Sequence, residues 1–335
     1  MTNIQSHAEI TTAEIAALWT TYMQMSLSLK MLKHFKITCE NEEVQTIVNS
    51  AATVTNEIYE TTKQLFHQEQ LAIPYGFTHE DANLTAPKLF TEHYMLLYIK
   101  HTLTVGMIKF ALDKSTATRP DILQFFTTCI EKTGALYAEV VQALSNRGLS
   151  FRFPLVNIPN KTEFPMKKSY LSNFFKAQRP LNIIEITQIT TSIETNQIGQ
   201  ALLMGFAQTA QSEKIRKYMI RGIEIAKKHE DMFSELLTEE DINSPNAPGN
   251  AVSNSTTAPY SDRLMLYHVT FLNGVGISNY GKALGIVTRK DLITNYTRLM
   301  IEIADYAEDG MIMMLENGWF EQPPQPVSRE ELIRE

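Results

Sequence analysis

The chain contains an internal duplication, and this feature limits the fold more than any other property of the sequence. Between about 14–154 and about 185–324, a set of matching residues recurs in the same order, although overall residue identity is low. The offset between matched positions is 171 residues early in each copy and 170 later, so one deletion in the middle reconciles the two registers. The duplication predicts two similar domains, and each residue of one copy can be compared with its counterpart in the other. The matched pairs include Glu14 and Glu185, Phe35 and Phe206, Arg119 and Arg289, Asp121 and Asp291, and Gly148 and Gly318.

Four long segments with the helical period make up each copy, and strand patterns are nearly absent. Short turns join the first helix to the second and the third to the fourth, so we expect each of these pairs to be antiparallel. Long polar stretches, 72–90 and 239–260, separate the second helix from the third. The pattern predicts an all-α fold with two four-helix bundles, of either the ferritin-like crossover or the up-down topology. In the second copy the predicted helices span 183–211, 213–238, 261–284 and 290–317.

Residues that favour helix ends mark the predicted boundaries. Asn41 and Ser212 are typical N-caps, because their side chains accept hydrogen bonds from amides of the first turn. Thr118 and Thr288 are each followed three residues later by an aspartate, which predicts a capping-box-like start of the fourth helix. Glycine suits a left-handed C-cap, and the predicted C-caps of the fourth helices are Gly148 and Gly318.

The two copies also set the expected domain boundaries. Between them lies a segment with the apolar run YLSNFF at 170–175, which indicates a linker that packs on a bundle and is not a flexible tether. The predicted domains are a first four-helix bundle at 1–154, a linker at 155–182, a second four-helix bundle at 183–324 and a C-terminal tail at 325–335.

Composition narrows the class of protein. The formal net charge of −7 argues against a nucleic-acid-binding protein, which usually carries a basic patch. We expect no membrane partner, because no stretch approaches about 18 apolar residues without charges, and the N-terminus lacks the pattern of a signal peptide. Cys39 and Cys129 are the two cysteines, which fits a reducing compartment, so we expect a cytoplasmic protein.

Two histidines of the second copy occupy inward-facing helical positions. His229 lies on an apolar stripe of the second helix, where the first copy has Ile58. His268 lies on the third helix, where the first copy has Tyr98. Imidazole and carboxylate groups from separate helices form the metal sites of bundles and suit iron, manganese or zinc. The predicted metal ligands are Glu194, His229, His268 and Asp309.

The metal prediction depends on topology, and it has an alternative. In an up-down bundle the four side chains lie at nearly one level. Under a full crossover, His268 and Asp309 move roughly 15 Å from the other two, given a rise of about 1.5 Å per residue. The Glu-x-x-His pairs of di-iron bundles are missing from both copies, and the alternative is that both histidines are hydrogen-bonded core residues. The other six histidines share no metal-like spacing and are predicted to lie mostly on the surface: His7, His34, His67, His79, His93 and His101.

Additional apolar surface indicates a packing partner. The first helix of the second copy carries a second apolar row, formed by Ile198, Leu202 and Phe206. The segment 311–315 (MIMML) is apolar on every side, and such a helix is usually buried on every side. We expect the two bundles to pack on each other within the chain, with a homodimer interface as the alternative.

Five segments of the second copy are the most distinctive parts of the chain: ALLMGFAQ at 201–208, RGIEIAKKH at 221–229, YSDRLML at 260–266, YAEDGMIM at 306–313 and NGWFEQPP at 317–324. In these segments the chain resembles an uncharacterised family of tandem helical-bundle proteins from spore-forming Gram-positive bacteria, known as a domain of unknown function. The resemblance implies a ferritin-like bundle fold and a relation to small spore-coat-type proteins, and it implies no catalytic residues.

Two functional hypotheses follow from these observations. Nucleotide-binding loops, zinc-protease motifs and nucleophile elbows are missing from the sequence, so a non-enzyme is favoured. The first hypothesis is a non-catalytic structural or protective role linked to sporulation, in the cytoplasm or in the spore. The alternative is a metal-binding bundle with a single iron, manganese or zinc site in the second repeat.

Overall fold

The computed structural model describes residues 8–158, 160–171, 178–245 and 249–326, together with Arg329 and Ile333. Within these residues the protein is all-α, with eight long helices and two short 3-10 turns. The first four helices form one bundle and the last four form another, which confirms the predicted fold class. The helices are α1 (Thr12–Thr38), α2 (Glu42–Gln68), α3 (Glu92–Thr116), α4 (Pro120–Asn146), α5 (Ile183–Thr209), α6 (Glu213–Thr238), α7 (Asp262–Ile286) and α8 (Lys290–Glu316).

Hydrogen bonds at both ends of α1 show in which direction α3 runs. Near the start of α1, the Glu14 carboxylate accepts hydrogen bonds from the amides of Thr118 and Arg119, which follow the end of α3. Near the end of α1, His34 Nε2 donates to the carbonyl of Ala86, which precedes α3. The two helices therefore run antiparallel, and the connection between α2 and α3 crosses the length of the bundle.

The second repeat has the same connectivity. Glu185 near the start of α5 accepts from the amides of Thr288 and Arg289, which follow α7. At the other end of α5, the Ser212 amide donates to Asp262 at the start of α7. Both repeats thus have the long crossover, one of the two topologies that the sequence left open.

Several predicted helix ends are confirmed. The side chain of Asn41 accepts a hydrogen bond from the first turn of α2, and that of Ser212 does the same for α6. Gly148 and Gly318 follow the fourth helix of each repeat, with φ angles of +67° and +66°. Glycine adopts this left-handed conformation without the steric cost that a side chain would add.

The predicted capping boxes at Thr118 and Thr288 are wrong. The N-caps of α4 and α8 are Arg119 and Arg289, and neither makes a side-chain cap hydrogen bond. The amide and hydroxyl of Thr118 instead donate to Glu14, which lies more than one hundred residues away in the chain. A contact of this range leaves no signal in the local sequence.

A buried carboxylate joins the first and fourth helices of each repeat. Glu14 and Glu185 are 1% and 0% exposed, and each also caps its own helix by a capping box. Burial alone would raise the pKa of the Glu185 carboxyl, but hydrogen bonds from Arg179, Asn182 and Thr288 outweigh it and lower this pKa to about 2. In Glu14, hydrogen bonds from backbone amides likewise outweigh burial and lower the pKa to about 2.

A buried arginine completes the same network in both repeats. The guanidinium of Arg119 contacts Asp121 at 2.6 Å and Glu69 at 2.8 Å, so it ties the start of α4 to the end of α2. Arg289 makes the equivalent pairs with Asp291 and Glu240, at 2.7 Å and 2.9 Å. The polar residues that match between the two copies therefore stabilise the bundle ends.

The two bundles pack directly on each other within the chain. Ile198, Leu202 and Phe206 on α5 are at most 4% exposed and belong to the same apolar core as the first bundle. The Tyr94 hydroxyl on α3 donates to the Ile198 carbonyl at 3.1 Å, and the ring of Phe90 contacts that of Phe206. The predicted role of this second apolar row, packing of one bundle on the other, is confirmed.

The interface between the repeats has approximate two-fold symmetry. Isolated antiparallel bridges join Ala82 to Tyr260 and Phe90 to Val252. At the repeat offset of 170, Val252 is the counterpart of Ala82 and Tyr260 that of Phe90, so the two bridges are equivalent. An interface in which residue i contacts j and the copy of j contacts the copy of i is that of a two-fold dimer. The chain therefore has the architecture of a dimer joined into one polypeptide.

The linker and the end of α8 are more exposed than their apolar residues indicate. Leu155 and Met166 are 93% and 91% exposed, although Val156 packs on the second bundle. Part of the predicted apolar run, at 172–175, lies outside the described residues, as does most of the tail at 325–335.

On α8, Met313 and Met314 are buried, but Ile312 and Leu315 are 43% and 58% exposed. The expectation that 311–315 is buried on every side is therefore wrong.

One described helix, α3, has the length and apolar composition that would allow it to cross a membrane. In this structure its buried residues, among them Tyr94, Leu96 and Tyr98, belong to the core shared by the two bundles.

Candidate functional site

A cavity of about 130 Å³ lies between the two bundles. Its walls come from α1 and α3 of the first repeat and from all four helices of the second repeat. At the centre, Tyr98 and His268 are counterparts in the two copies and contact each other, with 3.4 Å between the Tyr98 hydroxyl and His268 Nε2. A residue that contacts its own counterpart lies on the two-fold axis, so the cavity lies on that axis.

Part of the cavity lining is related by the two-fold symmetry, whereas the residues of α6 and α8 line it without counterparts from α2 and α4. Some pairs keep their character, such as Leu27 with Ile198 and Gly106 with Gly276. Other pairs differ: His101 has Phe271 as its counterpart, and Tyr98 has His268. The duplication thus places two pairs of equivalent helices around the pocket, α1 with α5 and α3 with α7, and the differences between the copies give it polar groups on particular sides.

The chemical character of the lining is neutral. It consists of aliphatic and aromatic side chains, glycines, and uncharged polar groups such as Thr102, Asn196 and Asn273. Among the described residues that line it, none is an aspartate, glutamate, lysine or arginine. An ion placed here would lose its hydration without gaining a partner of opposite charge, which is costly. The cavity therefore suits an uncharged molecule.

His268 is held neutral at the axis of the interface. It is 4% exposed, and burial, together with the nearby His101, lowers its pKa to about 3. Its Nδ1 atom is buried and has no hydrogen-bond partner among the residues that the structure describes. Such an unpaired buried nitrogen is uncommon in folded proteins.

His101 lies next to this pair on α3. Burial, and secondarily the charge of Lys100, lowers the pKa of its imidazole to about 4, so the ring is neutral at physiological pH. The side chain is half-buried and lines the cavity. Within the described residues its ring forms no hydrogen bond. Its neighbours have other partners: the Lys100 ammonium pairs with Glu194 at 2.5 Å, and the Thr102 hydroxyl donates to the Tyr98 carbonyl.

His229 closes the other end of the cavity through a hydrogen-bond chain. The Asn196 amide donates to the Tyr280 oxygen at 2.9 Å, so the Tyr280 hydroxyl proton is directed to His229 Nδ1 at 3.1 Å. His229 Nε2 then donates to the Glu302 carboxylate at 3.1 Å, and Glu302 also pairs with Lys228. Burial lowers the pKa of His229, although Glu302 partly opposes this shift. Both ring nitrogens of His229 are therefore already paired.

Tyr306, which lines the cavity, forms a reciprocal pair with Tyr218. The Tyr306 and Tyr218 rings stack at 4.2 Å, and the hydroxyl of each donates to the backbone carbonyl of the other at 3.0 Å. A Cβ atom at Gly222 would clash with the Tyr306 hydroxyl, and one at Gly310 would clash with the Tyr218 hydroxyl. Glycine at these two positions therefore allows α6 and α8 to approach closely.

The structure does not bring the four predicted metal ligands together. Glu194 pairs with Lys100, and the exposed Asp309 pairs with Arg221 at 2.6 Å. His229 and His268 both line the cavity but bind different partners. Among the described residues, no three or more His, Cys, Asp or Glu side chains form a group that could hold a metal ion. The crossover topology accounts for the separation of His268 and Asp309 from Glu194 and His229, and the metal site stays a prediction.

Two histidines that were predicted to lie on the surface are part of the interior. His67 and His79 are exposed as expected and His93 is half-buried, while His7 lies outside the described residues. For His34 the prediction is wrong, because this side chain is 1% exposed, and His101 lines the cavity. The signal that could have identified His101 is its counterpart: an aromatic residue, Phe271, occupies the same position in the second copy.

Comparisons with known proteins agree with the duplication. The sequence matches the family described as "Protein of unknown function (DUF3231)" at residues 1–161 and again at 169–332, which confirms the resemblance to a tandem family of unknown function. No curated protein matches the chain. The chain is similar to the crystal structure of a "putative spore coat protein" from Bacillus halodurans C-125, with 16% identity and a TM-score of 0.42. The similar region covers 45% of this chain and 98% of that chain.

Proposed function

We propose that this chain, which belongs to the DUF3231 family of proteins of unknown function, is a non-catalytic binding protein. It holds one small, uncharged and mostly apolar molecule in the cavity between its two bundles. The observation that carries the proposal is the cavity itself, with a volume of about 130 Å³ and a lining without charged side chains.

The size of the cavity limits the ligand. An apolar protein cavity of roughly 150 Å³ is sufficient to bind benzene. At about 130 Å³, this cavity suits a single-ring compound or an aliphatic molecule of similar size. Larger cofactors and nucleotides usually occupy pockets of about 300 Å³ or more.

The acid–base groups around the cavity support binding more than catalysis. A general acid or base works best when its pKa lies near the working pH. Burial lowers the pKa values of His101 and His268 to about 4 and 3, and it raises that of the Tyr280 hydroxyl well above its usual range. His229 is paired on both sides. None of these four groups is tuned to exchange a proton near pH 7.

We place this binding role in sporulation, as a structural or protective function in the cytoplasm of the sporulating cell or in the spore. The support is the resemblance to spore-forming bacterial proteins in the five segments named above. The test is to follow the tagged chain through sporulation by fractionation. Enrichment in the spore or the sporulating cell supports this placement, and equal abundance in vegetative cells contradicts it.

The binding proposal is tested by titrating toluene into the full chain and following methyl resonances by NMR. Toluene is expected to shift the methyl signals of Ile198 and Leu203, which line the cavity, in a saturable manner. Gly199 offers matched variants, because it lines the cavity and a Cβ atom there would meet no atom within 4 Å. Gly199→Leu fills the space and should abolish the shifts, whereas Gly199→Ala should retain them. Toluene binding that is unchanged in Gly199→Leu would contradict the proposal.

A further inference from the structure

We infer that the molecule bound in this cavity carries a hydroxyl group, and that His101 selects it through a hydrogen bond. The inference rests on the proposed binding function and adds the chemical class of the ligand, a phenol or a small alcohol. It starts from the three histidines of the lining, of which His101 is the one placed to pair with a ligand.

The other two histidines are not available. His229 uses both ring nitrogens, one with Tyr280 and one with Glu302. His268 contacts Tyr98 through Nε2, and its unpaired Nδ1 is enclosed by protein atoms. His101 is half-buried on the cavity wall, and its ring is without a hydrogen bond to the described residues. A ligand is the partner that would satisfy this imidazole.

The repeat counterpart of His101 shows that this position does not need an imidazole for packing. Phe271 occupies the equivalent place on α7, is also half-buried and lines the same cavity. At this pair of positions the two walls that face each other across the axis therefore differ, with a polar ring on one side and an apolar ring on the other. A molecule with one polar end and one apolar end would be oriented by this difference.

The chemistry of a neutral imidazole identifies the polar group. One ring nitrogen donates a hydrogen bond and the other accepts one. A hydroxyl group can serve either nitrogen, because it both donates and accepts. A carboxylate or an ammonium group is excluded by the uncharged lining, since burying an unpaired ion is costly. The remaining volume and the aromatic walls accommodate a hydrocarbon ring or chain.

Phenol and toluene form the matched pair of probes, because they differ only in a hydroxyl and a methyl group of similar size. Their affinities are measured by calorimetry on the full chain, in the wild type and in His101→Phe, which reproduces the residue of the second copy. The variant is expected to bind phenol about tenfold more weakly, as for the loss of one buried hydrogen bond. Toluene should bind wild type and variant within about threefold of each other. A second variant, His101→Gln, retains a hydrogen-bonding group and should restore most of the affinity for phenol.

The possible results separate the hydroxyl inference from the binding function. If toluene binds and phenol binds equally to the wild type and to His101→Phe, the selection by His101 is refuted and the cavity remains a binding site. If neither probe binds the folded wild type, both the inference and the binding function are refuted. Circular dichroism and thermal unfolding establish that each variant is folded, and Phe271→His provides the mirror control. When Phe271→His is combined with His101→Phe, the affinity for phenol should stay low. Restored affinity would show that either side of the axis can hold the hydroxyl and would contradict selection by His101.

Discussion

The buried carboxylate of Glu185 is expected to be a main determinant of stability in the second bundle, and Glu185→Gln tests this. The side chain is 0% exposed. Its oxygens accept from the amides of Thr288 and Arg289 at 3.1 Å and 3.0 Å, and from the Arg179 guanidinium at 2.8 Å twice. Glutamine keeps the shape but removes the charge, and it replaces one acceptor oxygen by a donor that faces other donors.

The size of the effect follows from the pKa. The carboxyl pKa falls from 4.5 in the unfolded chain to about 2 in the folded protein. At about 1.4 kcal/mol per pKa unit, this shift corresponds to roughly 3 kcal/mol of stability at pH 7. Because the folded pKa is depressed, this stability is fully present above about pH 4.5. It is lost as the pH falls through about 2.

The assay is urea unfolding of the wild type and Glu185→Gln between pH 2 and pH 7. We expect a difference in the free energy of unfolding of about 3 kcal/mol at pH 7 that disappears towards pH 2. Glu14→Gln should behave alike in the first bundle, because the Glu14 pKa is also lowered to about 2. The exposed Glu213→Gln is the control and should change little. A difference below about 1 kcal/mol at pH 7, or one that does not depend on pH, would refute the reasoning.

Three further predictions concern the interior of the protein. Gly222→Ala should destabilise the protein by about 1–3 kcal/mol in thermal unfolding, because its methyl group clashes with the Tyr306 hydroxyl. Gly199→Ala should stabilise the protein by up to about 1 kcal/mol, because a methyl group there meets no other atom. A change of the same sign in both variants would contradict this. The first repeat shares an apolar core with part of the second repeat, which also has a smaller core of its own. Because the shared core is continuous, calorimetry should show a single unfolding transition, and two separate transitions would contradict a continuous interface. The metal site predicted from the sequence requires about one equivalent of iron, manganese or zinc by mass spectrometry, lost in His229→Ala/His268→Ala. A wild type that stays metal-free after all three are offered would remove that alternative.

Local features of the fold could be predicted from the sequence. The boundaries of α6 are those predicted, 213–238, and those of α7 differ by one or two residues. Helical period and N-cap residues act within one or two turns, so they are visible in a short window. The packing of the two bundles also had a local signal, since Ile198, Leu202 and Phe206 form an apolar row outside the core of their own bundle.

Long-range features could not be predicted in the same way. The direction of α3 depends on contacts such as that between Glu14 and Thr118, across most of a repeat, and the long connections alone allowed both topologies. The same contact displaced the N-cap of α4 from the predicted threonine to Arg119. The exposure of Ile312 and Leu315 departs from the pattern, and nothing in the structure explains it.

The candidate site could be predicted from the sequence only in part. His229 and His268 were correctly identified as inward-facing, because each replaces an apolar or aromatic residue of the first copy. The position of His101 could not be recognised from metal-like spacing, because its only signal is alignment with an aromatic residue of the second copy, Phe271. Comparing the two copies separates the roles: matched polar residues such as Glu14 and Glu185 stabilise the bundles, and unmatched residues give the cavity its chemistry.

The most direct measurement is a crystal structure of the protein equilibrated with 4-bromophenol, with anomalous diffraction used to locate the bromine. A ring with one hydroxyl and one heavy atom is close to the size that the cavity of about 130 Å³ admits. We predict one anomalous peak between the bundles, with the hydroxyl oxygen within hydrogen-bond distance of His101, and loss of that peak in Gly199→Leu. Bromine bound only on the outer surface, or a cavity without ligand density at saturating concentration, would contradict a binding function for this site.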